Sequence, residues 1–363
     1  MHLTCIRAVE RVRKILAHPG GNPMRVRVDV RRANRLPLAC IALAILTASP
    51  MAQALNFAEY PALQSFTAEM GERHGFSAKQ LRQVFRCATI RPEIIEAMER
   101  PRELLPWHEY RKAFVTEDSA QRGVQFWKEY ARDISRAREQ YGVSPEIIVA
   151  IIGVETRYGR NTGSWPVLDA LATLTLKYPP RAGFFRKELE EFLLLTRETG
   201  LDACRVKGSY AGAMGLPQFM PSSYRRLAVD FDNDGKRDLL DNPVDAIGSV
   251  AHYLQRHGWE TGAPLTGEVK LKGTLYFWAE KLGLKPSLSV RQLADYGVFP
   301  RRRDDPERRA ALISLEGENG PVYRLGYNNF YAITRYNLNK RYAMAVVELG
   351  DLIRQRMEEN PSS

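Results

Sequence analysis

The chain has 363 residues, 44% of them hydrophobic and 26% charged, a composition that fits a soluble globular protein of one large domain or two to three small ones. Its net charge of +11 is concentrated at the start, where residues 1–54 hold nine Lys/Arg and two acids and leave only +4 on the remainder. A patch that weak, with no accompanying motif, excludes nucleic acid as the expected partner.

The first 54 residues account for the excess. Arg25, Arg27, Arg31, Arg32 and Arg35 precede an apolar run from Leu36 to Ala48, and Ala52-Gln53-Ala54 fits a small-x-small cleavage site. This order predicts a secretory signal peptide over 1–54, removed near Ala54–Leu55, with Met24 as an alternative start. The apolar run is too short to span a bilayer. Cys40 precedes most of that run, so neither a lipid-attachment cysteine nor a stable membrane anchor is expected. Of the four cysteines only Cys87 and Cys204 then remain. Such a pair in an exported protein permits one disulfide, but the sequence does not show that the two meet.

Residues 55–141 read as helices with loops between them. Ser77-Ala78-Lys79-Gln80 opens one helix and Arg91-Pro92-Glu93 another. Arg102 to Tyr110, with Pro106, Trp107 and His108, reads as a ring-rich loop, whose rings line a groove or, the commoner role, pack in the core. The apolar spacing of Val124, Phe126, Trp127, Tyr130 and Ile134 predicts one long helix from Phe114 to Tyr141.

Residues 142–260 carry the densest signals. Ser144 and Pro145 suit the N-cap and first position of a helix whose next residues, Ile147 to Val154, are all apolar or Gly. Glu155 ends that run, and Gly159 is the expected C-cap. Two readings of Glu155 stand. It pairs structurally with Arg157 or Arg160, or it is a carboxyl whose pKa desolvation raises, so that it serves as a general acid. Helices follow at Val167 to Tyr178, stopped by Pro179-Pro180, and at Phe184 to Thr199. The segment Gly208 to Ser223 is rich in Gly and small residues, which lets the backbone approach another helix or a ligand closely, with Ser209 and Gln218 supplying polar groups.

Asp230-Phe231-Asp232-Asn233-Asp234-Gly235-Lys236-Arg237-Asp238 matches the first nine positions of an EF-hand loop. Alternate acids curl around a hard cation, Gly235 makes the turn, and Lys236 offers its carbonyl. The expected ligands of a structural Ca2+ are therefore Asp230, Asp232, Asp234, Lys236 and Asp238, closed by Asp241 or, in a lengthened loop, Asp245. The rival reading is an acidic turn without metal.

Residues 261–328 change character. Val269 to Gly273 alternates as a strand, and two strands flank Glu318-Asn319-Gly320 as a hairpin. A helix is expected near Val290 to Tyr296, and Arg301 to Asp305 reads as a solvated loop. Residues 329–363 return to helix, from Phe330 and again over Tyr342 to Met357. No second carboxylate suited to glycoside hydrolysis presents itself: Asp169 sits on an apolar helix, and Asp202 follows a helix end. No Ser-His-Asp, Cys-His or zinc pattern stands out among the six histidines.

Gly153-Val154-Glu155-Thr156-Arg157-Tyr158-Gly159, the Gly208–Ser223 segment, the acidic loop, Asp245 to Leu254, and Asn329 to Asn337 together resemble the lytic murein transglycosylase B family. The resemblance implies a mainly α protein with a goose-lysozyme-like helical core, an EF-hand-like calcium loop, an additional helical domain and a small antiparallel β unit. It implies a periplasmic monomer acting on peptidoglycan glycan strands, with cell-wall synthesis proteins as further partners. Glu155 would be the sole acid/base, cleaving between N-acetylmuramic acid and N-acetylglucosamine to leave 1,6-anhydromuramoyl ends. Ser209 and Gln218 match substrate-bonding positions, Tyr253, Tyr331, Tyr336 and Asn337 cleft-lining ones, and Phe219 an apolar wall. Arg181 matches one of two basic residues that meet a carboxylate, and Pro180 stands in place of the second. The rivals are a muramidase of the same fold that uses water, and a calcium-stabilised peptidoglycan-binding protein without activity.

Overall fold

A computed structural model describes residues 53–55, 59–100 and 105–359, all within one compact unit. The signal peptide expected over 1–54 lies outside the described residues except for Gln53–Ala54, which form a short strand (β1) antiparallel to Thr89–Ile90 (β2). Helices run over Pro61–His74 (α1), Ala78–Phe85 (α2), Pro92–Glu99 (α3), Trp107–Lys112 (α4), Glu117–Glu129 (α5) and Ala131–Tyr141 (α6). Ser77 and Gln80 close a full capping box on α2, as their spacing predicts.

Two expectations fail in this half. The ring-rich stretch is not a loop from Trp107 on: Trp107 and Tyr110 lie on α4 and are buried, and their rings take the commoner role of core packing. The long helix is two, broken at Tyr130, where φ −111° and ψ 27° leave the helical region. The break lets α6 pack against another helix than α5 does, a choice that apolar spacing alone does not encode.

Pro145–Thr156 (α7) is the central rod. Ser144 occupies its N-cap position but makes no side-chain capping bond, and Pro145 starts the helix. Every residue from Ile147 to Val154 is buried. Around it pack α5, α6, Pro243–Arg256 (α11) and the C-terminal Lys340–Glu359 (α15), numbered after Val167–Lys177 (α8), Ala182–Thr199 (α9), Pro221–Leu227 (α10), Tyr276–Lys281 (α12), Val290–Asp295 (α13) and Asn328–Thr334 (α14). Gly350 lets α15 come close to α7, since a Cβ there would stand 3.2 Å from Ile147.

Between helices, Trp165–Pro166 (β3) pairs with Lys207–Gly208 (β4). Thr266–Leu271 (β5), Leu288–Ser289 (β6), Val298–Pro300 (β7), Arg309–Gly317 (β8) and Gly320–Gly326 (β9) form an antiparallel sheet of order β6-β8-β9-β5-β7. It has its own apolar cluster, around Val269, Leu293, Val298, Leu312 and Leu325. The Arg301–Asp305 stretch is not wholly solvated. Asp304 is buried there by an ion pair to Arg308 and a hydrogen bond donated by the Tyr327 hydroxyl.

Cys87 and Cys204 are joined in a disulfide, with Cα atoms 5.9 Å apart and a separation of 117 positions in sequence. It ties the end of α2 to the loop after α9. A closed loop of that length stabilises the fold by roughly 4–5 kcal/mol through the unfolded state. Denaturant unfolding of the oxidised protein beside a Cys87→Ser/Cys204→Ser variant should show a loss of that order. Equal midpoints would mean that the bridge contributes nothing.

Candidate active site

The buried rod α7 delivers Glu155, half-buried, to the wall of a cleft of about 740 Å³. To do so the chain must reverse at once. Arg157, Tyr158 and Gly159 all take positive φ, at 52°, 60° and 82°. The C-cap is therefore Arg157, not the expected Gly159, and its N–H donates to the Gly153 carbonyl at 2.9 Å. The left-handed region costs a non-glycine residue about 1–2 kcal/mol, so the surroundings must hold it.

They do so through two side chains. The Tyr158 ring sits where Gly153 and Gly123 leave room: a Cβ on either would fall 2.5 or 2.6 Å from its hydroxyl oxygen. That hydroxyl donates to the Ser119 carbonyl at 3.0 Å. Thr156 donates to the Leu216 carbonyl at 2.9 Å and accepts the Gly159 N–H at 3.0 Å, pinning the helix end to the Gly-rich segment.

That segment comes close because its glycines permit it. A Cβ on Gly215 would stand 2.1 Å from the Leu239 carbonyl oxygen, and one on Gly208 2.2 Å from that of Ala213. Ser209 Oγ accepts the N–H groups of Ala211 and Ala213 at 3.3 and 3.0 Å, so its own proton remains to be donated. Gln218, strained at φ 50°, donates from Nε2 to the carbonyls of Thr162 and Gly215 at 3.0 and 2.8 Å. Its Oε1 is thereby presented as an acceptor.

Tyr342, the residue that sequence reasoning missed, donates its hydroxyl to Glu155 Oε1 at 2.6 Å from 187 positions away. Burial, and then the charge of Glu155, push the Tyr342 and Tyr336 phenols well above their ordinary pKa. Both therefore stay protonated donors. Tyr336 lies near-parallel to Tyr342 and donates to the Pro217 carbonyl at 2.6 Å.

Of the residues singled out from the sequence, Glu155, Arg181, Ser209, Gln218, Tyr336 and Asn337 line the one cleft. Phe219 and Tyr253 form the layer behind it, their rings 5.7 and 4.6 Å from Tyr336. The Tyr253 hydroxyl, pushed up to about 12 by burial, donates to the Arg335 carbonyl. Tyr331 is not among the lining residues. Arg181 is exposed, its guanidinium 4.4 Å over the Phe184 ring.

Glu155 is the only carboxylate among the described residues that line the cleft. The other buried acids are committed elsewhere. Asp169 accepts from the Thr89 N–H and pairs with Arg91. Glu188, which the sequence did not flag, accepts from the Ser222 N–H and hydroxyl at 2.9 and 2.7 Å while burial raises its pKa.

In the acidic loop, Asn233 and Gly235 turn the chain at φ 62° and 91°. Asp230, Asp232 and Asp245 each offer a carboxylate oxygen, all within 4.8 Å of one another. Asp245 rather than the exposed Asp241 thus joins the group. Asp234 and Asp238 accept N–H groups of the loop itself, from Lys236 and from Leu240 and Asp241. Burial, with Asp232 and Asp230 beside it, holds Asp245 above the usual carboxylate range. Three converging acids, one of them fully buried, fit a hard cation that takes oxygen ligands.

Residues 58–351 match the family model described as a transglycosylase SLT domain. The chain is 43% identical over 308 residues to the membrane-bound lytic murein transglycosylase B of Escherichia coli (strain K12), covering 82% of this chain and 84% of that protein. The chain belongs to the lytic murein transglycosylase B family. The Escherichia coli lytic transglycosylase Slt35 in complex with calcium superimposes at a TM-score of 0.76, 43% identical over 85% of this chain and 98% of that one. SltB3 from Pseudomonas aeruginosa in complex with NAG-anhNAM-pentapeptide gives 0.70, at 31% identity over 80% and 78%. These matches establish the family and the mainly helical fold with its small antiparallel sheet.

The bond from Tyr342 to Glu155 favours the charged carboxylate. Tyr342→Phe should therefore move the alkaline limb of the pH–activity profile to higher pH and slow turnover about tenfold. An unmoved limb would show that the hydroxyl does not act on Glu155.

Proposed function

We propose that the chain is a lytic murein transglycosylase in which Glu155 alone serves as acid and base. The observation that carries this reading is that Glu155 is the single carboxylate among the described residues lining the cleft. Glycoside hydrolysis with water ordinarily needs two carboxyl groups, one on each side of the scissile bond. With one, the sugar's own hydroxyl supplies the nucleophile in this reading.

Protonated Glu155 gives its proton to the oxygen between N-acetylmuramic acid and N-acetylglucosamine, and the C1–O bond breaks. The 2-acetamido carbonyl of the muramoyl residue stabilises C1. Glu155, now a carboxylate, removes the proton from that residue's C6 hydroxyl, whose oxygen closes on C1. The product ends in a 1,6-anhydro ring, no water is consumed, and Glu155 regains its proton. Tyr342 steadies the carboxylate stage.

The other groups bind and orient. Ser209 donates its hydroxyl proton and Gln218 offers Oε1 to polar groups near the cleaved bond. Arg181 meets a lactyl or peptide carboxylate. Tyr336 and Asn337 guide the strand, and Phe219 and Tyr253 back the wall. We assign the catalytic core to 142–260, which contains Glu155, Ser209, Gln218 and the acidic loop. A disulfide and a murein substrate both suit the periplasm. Calcium on Asp230, Asp232 and Asp245 would neutralise their mutual repulsion and stabilise the start of α11.

Purified muropeptide strands incubated with the protein should yield anhydro ends by mass analysis. Glu155→Gln, folded as judged by circular dichroism, should lose about 10²–10⁴-fold in rate. Reducing ends would make the protein a muramidase, and unchanged lysis by the variant would remove Glu155 from the chemistry. Separately, chelation should lower the melting temperature and calcium restore it, by about 2.7 kcal/mol at a hundredfold excess over Kd. Asp245→Ala should not respond. A wild-type melting curve indifferent to chelator and calcium would leave the loop a metal-free turn.

A further inference from the structure

Four of the seven large apolar side chains exposed among the described residues fall within eight positions of the β unit: Leu275, Phe277, Trp278 and Leu282, at 55%, 48%, 61% and 51% exposure. They surround helix α12, which sits on the sheet through Ala279, 2% exposed, and through Tyr276, whose ring meets that of Tyr323 edge-on at 5.4 Å. Leu275, Trp278 and Leu282 follow at spacings of three and four, so they share the outward face. A patch of this kind on one short convex helix differs from singly scattered apolar residues and marks a contact surface.

Along its own stretch of chain the exposed charges are of one sign. Between 272 and 287 the exposed charged side chains are Lys272, Lys281 and Lys285. The one acid in that span, Glu280, is turned inward to accept the Ser314 hydroxyl. Lys281 Nζ lies 4.6 Å over the Trp278 ring. Leucines and a tryptophan, with exposed lysines in the same stretch, have the composition of a surface that enters the headgroup region of an anionic bilayer. A sugar-stacking platform would pair its ring with exposed amide or carboxylate partners, and this span has neither.

The geometry points to α12 and its flanking leucines as a peripheral docking surface for an anionic lipid bilayer. Trp278 enters the interface, Leu275 and Leu282 bury beside it, and the three lysines meet lipid phosphates. The contact is reversible, it lies on the β unit and not on the cleft, and it does not depend on how Glu155 works.

Trp278, 61% exposed, is the most exposed tryptophan among the described residues, so its emission reports the event. The full-length mature protein is titrated with phosphatidylcholine vesicles, with and without phosphatidylglycerol, following fluorescence and co-sedimentation. Anionic vesicles should shift the emission to the blue and carry the protein down, and added salt should weaken the effect. Trp278→Ala/Leu282→Ala should sediment at least about tenfold less, and Lys281→Gln about fivefold less. Both variants should turn over soluble muropeptides at the wild-type rate, which shows that they fold. No shift and no sedimentation with anionic vesicles would overturn the proposal. So would a shift produced by glycan fragments or by self-association in the absence of lipid.

Discussion

A carboxyl group at the end of a fully buried helix is the constraint on which the rest of this structure depends. Helix α7 must be apolar on every side to serve as the central rod, yet its last turn must present Glu155 to a cleft. The chain reconciles the two by reversing within three left-handed residues, Arg157 to Gly159. That reversal is unfavourable for arginine and tyrosine. It persists because Tyr158 fills the space left by Gly153 and Gly123, and because Thr156 is bonded to the Gly-rich segment at Leu216. The glycines of α5 and α7 thus matter as much to the acid's position as its immediate neighbours do.

The cleft is finished from three distant parts of the chain. Ser209 and Gln218 each spend their backbone-facing capacity on the protein and keep one complementary group, a proton and a lone-pair oxygen respectively. Tyr336, from the turn after α14, and Tyr342, from α15, arrive as donors that burial keeps protonated. The result is a polar site with one titrating acid among fixed dipoles. Such a site suits a proton that leaves and returns to the same oxygen.

Much of this was legible in the sequence, and the parts that were not share a cause. The buried helix, the acid at its end, the Gly-rich segment and the acidic loop are local patterns, and the structure brings Glu155, Ser209 and Gln218 to one cleft. Tyr342 was not legible, because its partner is 187 residues away and it reads as one more apolar position on a regular helix. Glu188 was missed because only the packing of α9 against α10 brings it to Ser222, 34 positions on. The break at Tyr130 and the short helix over Trp107–Lys112 reflect packing choices that periodicity does not specify. The choice of Asp245 over Asp241 is also tertiary, since it depends on where α11 begins relative to the loop.

The central claim is that the sugar, not water, attacks C1, and isotope incorporation addresses it most directly. Digestion of purified murein in water enriched in oxygen-18 should give muramoyl ends that carry none of the label at C1. Label incorporated at C1 in proportion to the bonds cleaved would contradict the account and make water the nucleophile.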